Sequence, residues 1–575
     1  MKANLVLKNA SVYTVNSNQS WAEAIAITDD KIIFVGTDAE VGAYIDSNTA
    51  VMDLNGKMVL PAFVDSHMHP ALSAHLYQYQ LSLFNMTGKD QIQAYLNAIH
   101  KFVETHPNAQ WIIGGGYLRS AFDEIGPRKE WLDEIISDRP IAITSKDGHS
   151  MWVNSKALEL AQITKNTPQP NEGVIKKDPK TGEPSGLLQE PGAMNLVGHL
   201  IPPPPKEEIK KSLLWLQEWL NTKGITTTHE AMLGIEDRHI YEAYDELAQA
   251  GKLTLRYRAS WTISPEGDAR TQIEQGKALV KQFTHPHFKA HSFKFFADHV
   301  IEEETGYLLE PYAHRDDDWR GIKVWDDRIL QKAFAQIDAA GYQIHVHVIG
   351  DAAAKYTVDA LEKLVDLNRN RDARHSFAHL QLARPEDIQR MGKLGLSVHA
   401  SPYWMNLDDY FWKLNLPYLG HERAFNQQYP FNSLFNAGVN VTVASDFWVT
   451  EPDPVKAIYN GMTRQISQKE FDSDYGSESN YRRVSDPNAK LENGDLGVLP
   501  PLDERANLEK MILASTLNGA YANFLDEAIG SIEVGKLADL VVLEDNLFDI
   551  DIEQIPETQV VMTLFEGKLV YSAKE

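Results

Sequence analysis

The chain contains no cysteine. Disulfide bonds, cysteine-ligated zinc sites and a thiol nucleophile are therefore excluded, and any metal ion must be held by His, Asp, Glu or a modified Lys. No apolar run is long enough to span a bilayer, and the N-terminal segment lacks the apolar stretch of a signal peptide. We therefore expect a cytoplasmic protein with no membrane partner.

Basic residues are also scarce. The sequence has 55 Lys and Arg against 80 Asp and Glu, which gives a formal net charge of −25 and a sequence pI of about 5.2. Because such a charge repels phosphate backbones, we expect no nucleic acid partner. The 575 residues are 43% hydrophobic and 23% charged, which is typical of a folded protein with more than one domain.

The two ends of the chain share a strand-rich pattern. Short apolar runs alternate with Asn, Asp and Gly turn residues over the first sixty residues and again near the C-terminus. Chain termini commonly lie close together. We therefore predict one small β-sandwich domain built from residues 1–60 and 525–575.

Between the ends, strand-like runs alternate with helical runs such as 213–222 and 351–368. This alternation indicates βα units and a parallel sheet. The eight candidate strands, the number that closes a barrel, lie at 62–67, 225–229, 253–260, 292–296, 343–348, 375–379, 396–399 and 439–444. We predict an α/β fold with a (β/α)8 TIM barrel across residues 61–524.

The interval between the first two candidate strands is much longer than any other. It contains the Gly-rich segment 111–116 and a strand-like run at 140–144. Long structured connections usually serve function, for instance as a lid, so we predict an inserted subdomain at 75–222. The stretch 475–501, rich in Ser, Asn, Gly, Asp and Pro, is predicted to be a long surface loop.

A His-x-His pair stands in the segment 64–70, which reads VDSHMHP. Residues two apart in a strand point to the same face, so His67 and His69 project together. At the carboxyl end of a barrel strand they would face the mouth, where TIM-barrel enzymes assemble their sites. Imidazole is the commonest protein ligand for metals. The pair therefore indicates a metal site, although His-x-His alone also arises by chance.

One lysine lies inside an aromatic strand. Lys294 stands in the run SFKFF, where a buried ammonium is costly unless it is paired or modified. A salt bridge to Asp298 or Glu302 is the alternative to a modified lysine.

Later strands supply further candidate ligands. His345 and His347 share one strand face and cannot be separated by periodicity, and His375 and His379 flank the next strand. The eighth strand ends on Asp446. Each residue alone could be an ordinary core or surface residue, but the ordered set at successive strand ends indicates a metal centre.

With these motifs the sequence resembles the amidohydrolase superfamily over nearly the whole chain. It looks most like the amidohydrolase 3 branch, which is related to N-substituted formamide deformylase. The motifs that carry the resemblance read PAFVDSHMH at 61–69, DGHSMWVNS at 147–155, HVIGD at 347–351 and GSIEVGKLADL at 530–540. The chain departs from the family pattern where Phe447 and Trp448 follow Asp446 in place of small residues. It also departs at Tyr117, where Trp is commoner.

The resemblance implies a site with one or two divalent ions, with zinc expected. The implied ligands are His67, His69, Lys294 carboxylated by carbon dioxide, His347, His379 and Asp446, the last as ligand or catalytic base. His347 is preferred to His345 because it directly precedes the Ile-Gly-Asp turn. His379 is preferred to His375 because it lies nearer the strand end and precedes Leu-Gln.

These inferences predict a hydrolase for carbon–nitrogen bonds other than peptide bonds, acting on a small N-substituted or N-acyl amide. A deaminase, a lactonase and a non-catalytic ligand-binding descendant are the alternatives. His149 would be a further catalytic residue that hydrogen-bonds the substrate if the inserted segment folds over the site; otherwise it is a structural histidine in a turn. Four aromatic residues follow strand ends and are expected to border a pocket for neutral amides with apolar or aryl groups: Tyr403, Trp404, Phe447 and Trp448. The sequence is compatible with a homo-oligomer.

Overall fold

A sheet of eight parallel strands forms the centre of the computed structural model, which describes residues 2–86, 90–365, 371–476 and 481–574. Neighbours along the chain are neighbours in the sheet. The strands are β1 (Phe63–Met68), β2 (Ile225–Leu233), β3 (Arg256–Thr262), β4 (Phe288–Phe296), β5 (Gln343–Val348), β6 (Ser376–His379), β7 (Ser397–Ala400) and β8 (Asn440–Val443). The two-residue strand Thr284–His285 pairs antiparallel with β4.

The first and last strands meet side by side. Just beyond them, the backbone N–H of Asp446 donates to the carbonyl of His67 at 2.9 Å, and that of His69 donates to the carbonyl of Phe447 at 2.8 Å. The parallel barrel is therefore nearly closed. The sequence prediction of eight barrel strands is confirmed, although β4 begins four residues earlier than predicted and β2 ends four residues later.

The strand sequences alternate because the two faces of the barrel differ. In β5, Ile344, Val346 and Val348 belong to the main apolar core, which the surrounding helices complete. Gln343, His345 and His347 occupy the other face and point into the barrel.

An outer layer of helices covers the barrel, and most of these helices bury apolar residues along one side. In the helix that follows β2, Ile240, Tyr244 and Leu247 are buried at helical spacing. The helices are Pro70–Tyr79, Lys206–Thr222, Arg238–Gln249, Ala269–Val280, Asp327–Ala339, Asp351–Val365, Pro385–Lys393, Leu416–Asn426, Phe431–Asn436, Pro454–Thr463, Gln468–Asp474, Leu508–Ser515 and Leu517–Ala522. The helix predicted at 351–368 is present from Asp351 to Val365, and residues 366–368 lie outside the described residues.

A second sheet lies in the chain between β1 and β2. Its six strands, in sheet order, are Val174–Lys177, Pro184–Gln189, Ser150–Val153, Ile141–Ser145, Ile112–Tyr117 and Leu81–Ser82. The accompanying helices are Gln91–Thr105, Lys129–Asp133, Ser155–Leu160 and Glu190–Gly198. This sheet has apolar clusters of its own, around Trp152 and Leu188. The limits 75–222 of an inserted subdomain stay a prediction.

Both chain ends contribute to a pair of further sheets. One has the order Lys31–Gly36, Ala24–Thr28, Leu5–Lys8 and Ala50–Asp53; the other has the order Lys568–Ser572, Val560–Phe565, Leu540–Leu543, Met58–Pro61, Ser11–Tyr13 and Trp21–Ala22. Ile27, Val59 and Val542 lie in one apolar core that the two sheets share. The β-sandwich limits 1–60 and 525–575 stay a prediction.

Two smaller features complete the fold. The predicted loop 475–501, of which residues 477–480 lie outside the described residues, is not wholly irregular, because Arg482–Arg483 and Asp495–Leu496 pair as short parallel strands. No helix among the described residues is long and apolar enough to cross a membrane.

Candidate metal centre at the mouth of the barrel

Three histidines and one carboxylate converge where the barrel strands end. His67 lies in β1 and His69 directly after it, His379 ends β6, and Asp446 follows β8. The Oδ1 atom of Asp446 is 3.0 Å from Nε2 of His69 and 3.4 Å from Nε2 of His67. One ligand atom each of His67, His379 and Asp446 lie within 4.8 Å of one another. The carboxyl ends of parallel strands meet at one rim, which brings these distant residues together.

The contacts in this cluster fit a bound cation better than a set of hydrogen bonds. Asp446 is buried, yet its Oδ1 atom forms no hydrogen bond of regular geometry with any described residue, which is costly for a carboxylate oxygen. Ligand atoms that bind one tetrahedral zinc ion at about 2.0–2.1 Å lie roughly 3.3 Å apart. The separations of 3.0 and 3.4 Å are close to that spacing. Imidazole and carboxylate are also ligand types that zinc accepts.

The protonation states of the cluster suit metal binding. Burial lowers the pKa of His67 well below its ordinary value and lowers the pKa of His379 to about 3, although Asp446 attracts the charged form of His379. Burial alone would raise the pKa of Asp446, but His379 and His69 outweigh it and hold that pKa below its usual range. Neutral imidazoles beside an ionised carboxylate are the form that ligates a metal.

Lys294 lies in β4, paired with Thr262 of β3 and His345 of β5 in the strand register. The side chain is buried, and its Nζ atom lies 5.0 Å from the centre of the Phe296 ring. Burial lowers the pKa of Lys294 to about 7, while Asp446 acts in the opposite direction.

The alternative ion pair of Lys294 is not formed among the described residues. The carboxylate of Asp298 instead accepts hydrogen bonds from the backbone N–H groups of Ile349, Gly350 and Tyr307 at 2.9, 2.7 and 2.8 Å. Glu302 makes no ion pair with the lysine either. Among the described residues, Lys294 is therefore a buried amine that forms no ion pair, and Asp446 is the carboxylate that acts to raise its pKa.

The two histidines of β5 lie at different depths. His347 lines the cavity above the barrel, with its ring 4.7 Å from that of His379, and its Nε2 atom is 3.1 Å from the carbonyl of His299. His345 lies beneath, with its Nε2 atom 2.7 Å from Nδ1 of His67 and its ring stacked on His399. Only His347 reaches the cavity.

His375 and His379 lie at opposite ends of β6. His379 lines the cavity. His375 precedes the strand; its Nδ1 atom accepts a hydrogen bond from the backbone N–H of Ile344 at 3.0 Å, and its Nε2 atom is 3.2 Å from Asp338. His375 is therefore remote from the converging ligand atoms.

The segment between β1 and β2 brings His149 to the cavity. His149 lies in the turn between Ile141–Ser145 and Ser150–Val153, with its ring 5.5 Å from that of His347. Its Nδ1 atom lies 2.7 Å from the carboxylate of Glu190. Burial lowers the pKa of His149, but the charge of Glu190 and this hydrogen bond outweigh it and raise the pKa to about 9.

Sequence reasoning missed two residues of this region, Glu190 and His299. Glu190 begins the helix Glu190–Gly198 and reads as an ordinary helix start. His299 follows β4 by three residues, and its place after a barrel strand was the one available signal.

A cavity of about 1610 Å³ opens above the cluster, and Asp446, His149, His347 and His379 line it. Three of the predicted aromatic residues line it as well: Tyr403, Trp404 and Trp448.

The prediction for Phe447 is wrong. Phe447 is fully buried and packs against Tyr77 and Trp219, with ring centres 5.2 and 5.3 Å away. The chain turns after β8 at Asp446, where φ is 55°. Phe447 then lies under the rim, whereas Trp448 lines the cavity above it.

Sequence comparisons place the chain among known proteins. The sequence model of the amidohydrolase family matches residues 50–571. The chain is 27% identical over 577 residues to Protein LONG AFTER FAR-RED 3 of Arabidopsis thaliana, covering 99% of this chain and 92% of that protein. It is 24% identical over 585 residues to N-substituted formamide deformylase of Arthrobacter pascens, covering 99% of this chain and 98% of that protein.

A solved structure shows the same fold. An uncharacterized metal-dependent hydrolase from Pyrococcus horikoshii OT3 matches with a TM-score of 0.70 at 19% identity, covering 95% of this chain and 99% of that chain. The family match spans far more than half of the sequence and includes every residue of the cluster at the barrel mouth. The chain therefore belongs to the amidohydrolase family.

Proposed function

We propose that this protein is a metal-dependent hydrolase that cleaves a carbon–nitrogen bond of a small N-substituted or N-acyl amide. The observation that carries the proposal is the convergence of His67, His69, His379 and Asp446 without regular hydrogen bonds between the carboxylate and the imidazoles. The similarity to N-substituted formamide deformylase supports the choice of an amide substrate.

The proposed ligands are His67, His69, Lys294, His347, His379 and Asp446. For His347, the contact of Nε2 with the carbonyl of His299 assigns the ring proton to that nitrogen and leaves Nδ1 free to ligate. For His67, Nδ1 contacts His345 and Nε2 faces Asp446. Both arrangements follow the usual rule that a ligating histidine is oriented through its second nitrogen.

Asp446 is the proposed proton carrier. A divalent ion held by these ligands would supply a water with a pKa of about 7 and would polarise the substrate carbonyl. Asp446 is ionised at neutral pH and lines the cavity, so it can accept the proton of the attacking water. The same proton then passes to the leaving nitrogen when the carbon–nitrogen bond breaks.

His149 is the proposed donor to the substrate. Glu190 engages its Nδ1 atom, which leaves the Nε2 proton for a group in the cavity. A donor aimed at the carbonyl oxygen stabilises the negative charge that develops there during attack.

Lys294 is the proposed carboxylated ligand. A buried amine whose pKa is lowered to about 7 is partly neutral at physiological pH. The neutral form adds carbon dioxide at nitrogen and releases one proton, which gives a carbamate with two oxygen ligands. The absence of a carboxylate partner among the described residues supports this assignment. In native mass spectrometry the wild type should carry the adduct, and Lys294→Ala should lack it. Short carboxylic acids should restore part of the activity that Lys294→Ala loses. An unmodified Lys294 in an active, fully metallated protein would exclude the carbamate.

A substrate panel tests the reaction itself. Elemental analysis of the purified protein is followed by assays on matched N-formyl amides, N-acyl amides, lactones and amino-heterocycles. A higher kcat/KM for the amides than for the lactones and amino-heterocycles supports the proposal. Turnover of lactones or amino-heterocycles alone would reassign the activity to a lactonase or a deaminase. Metal-independent binding without turnover would indicate a binding protein.

A further inference from the structure

A second cluster of potential ligands lies beside the proposed active site. The Oε2 atom of Glu190 is 2.7 Å from Nδ1 of His149 and 3.2 Å from Nδ1 of His299. The Nε2 atom of His299 lies 3.3 Å from the carboxylate of Glu172. The ligand atoms of His149, Glu190 and His299 lie within 4.8 Å of one another. None of the three belongs to the proposed ligand set at the barrel mouth.

The hydrogen bonds of this cluster are incomplete. His299 is fully buried, and neither of its ring nitrogens forms a regular hydrogen bond, although each faces a carboxylate. A buried imidazole left in this way is costly. The Oε1 atom of Glu190 accepts a hydrogen bond from the Thr305 hydroxyl, so Oε2 is the oxygen left for the two histidines.

The arrangement around His299 is that of a metal ligand. A ligating histidine usually donates its second ring N–H to a carboxylate or a carbonyl. With the ring proton on Nε2, which faces Glu172 at 3.3 Å, the Nδ1 lone pair is directed at the space shared with Glu190 and His149. The 3.2 Å between Nδ1 of His299 and Oε2 of Glu190 is close to the separation of roughly 3.3 Å between two ligands of one tetrahedral zinc ion.

The negative charges of the cluster also favour a bound cation. Glu190 is fully buried and Glu172 is largely buried. Two ionised carboxylates in a low-dielectric interior need two compensating positive charges nearby. Two protonated histidines or one divalent ion can supply them, and the two carboxylate contacts of His299, at 3.2 and 3.3 Å without regular hydrogen-bond geometry, favour the ion.

We infer that His149, Glu190 and His299 bind one divalent cation of the zinc type, distinct from the metal centre at the barrel mouth. Two imidazoles and one carboxylate favour zinc over calcium or magnesium, which prefer oxygen ligands. Because His149, Glu190 and Glu172 come from the segment between β1 and β2, whereas His299 follows β4, the ion would fasten that segment to the barrel. This role goes beyond the proposed hydrolysis.

Anomalous diffraction at the zinc edge tests the site on the full-length wild-type protein soaked in zinc. We expect one peak between Nδ1 of His149, Nδ1 of His299 and Oε2 of Glu190, separate from the peaks at Asp446. Zinc at the barrel mouth with no peak at His299 would overturn this inference and leave the proposed function intact. A peak at His299 with none at Asp446 would support the inference and count against the proposed function.

Zinc titrations of variants provide a second test. Glu172→Gln should weaken binding of this ion by about 10- to 100-fold, because it removes the carboxylate that orients His299. His67→Ala should empty the barrel-mouth centre and still retain the ion at His299. The matched control is Glu304→Gln, which alters another carboxylate beside a histidine, His314 at 3.4 Å, and should bind as many ions as the wild type. Equal zinc affinity in Glu172→Gln and the wild type would contradict the assignment.

Discussion

The Nδ1 atom of His67 lies 2.7 Å from the Nε2 atom of His345. This contact holds the His67 ring so that its Nε2 atom faces Asp446 at 3.4 Å. His345 thus acts behind a proposed ligand, whereas its strand neighbour His347 reaches the cavity.

The two histidines of β5 should respond differently to substitution. His347→Ala removes a ligand and should lower the metal content of the purified protein together with its activity. His345→Ala removes only the partner of His67 and should weaken metal affinity by about 10- to 100-fold. Titration against a chromophoric chelator measures the metal content and the metal affinity of both variants. A fully metallated His347→Ala beside a metal-free His345→Ala would reverse the assignment.

Substitution of Asp446 should separate metal binding from proton transfer. Asp446→Asn keeps the shape of the side chain but cannot accept a proton. We expect part of the metal to remain and kcat to fall by about 10²- to 10⁴-fold. His100→Gln, on the exposed face of Gln91–Thr105, is the control and should match the wild type. An Asp446→Asn protein of wild-type kcat would exclude this carboxylate as the proton carrier.

Trp404 should contribute to substrate binding. Its ring stacks on His379 with centres 5.4 Å apart, and it lines the cavity. Trp404→Ala should raise KM for an aryl amide by about two- to tenfold, in line with the usual worth of an aromatic contact. Trp404→Phe should raise it less. Steady-state kinetics on matched aryl and charged amides test whether Trp404 binds the aryl group. An unchanged KM with a lower kcat would show that Trp404 only supports the position of His379.

The attachment of the C-terminal strands to the barrel should depend on pH. Glu566 lies beside Arg256 of β3 at 2.8 Å and His287 at 3.0 Å. Burial raises the pKa of Glu566, but these two partners outweigh it and lower the pKa from 4.5 to about 2. Since the folded-state pKa is lowered, the stabilisation is complete above about pH 4.5 and is lost as pH falls towards 2.

Urea unfolding of Glu566→Gln measures this contribution. The variant should be destabilised by about 1–3 kcal/mol at pH 7, the usual worth of hydrogen bonds to a charged group. The difference from the wild type should shrink at pH 3. Glu544→Gln, which removes an exposed ion pair with Lys57, is the control and should cost less than about 1 kcal/mol. The same destabilisation at pH 7 and pH 3 would contradict the assigned pKa.

Local sequence patterns were sufficient to predict the barrel. In β5, alternating residues such as Ile344 and His345 divide between the helix-covered face and the barrel interior. Candidate ligands at strand ends also followed from sequence, because all parallel strands end at one rim.

Contacts between distant segments were beyond the reach of local patterns. Glu190 meets His149 and His299 only because the segment between β1 and β2 folds over the barrel, and no periodicity records that meeting. The burial of Phe447 depends on the turn at Asp446, a backbone property of one residue.

Metal removal tests the central claim most directly. The wild-type protein is stripped with a chelator, its metal content is verified by elemental analysis, and amide hydrolysis is measured before and after zinc is returned. We predict no hydrolysis by the metal-free protein and recovery of activity in proportion to the zinc bound at His67, His69, His379 and Asp446. Hydrolysis at the original rate by a protein verified to be metal-free would contradict the account.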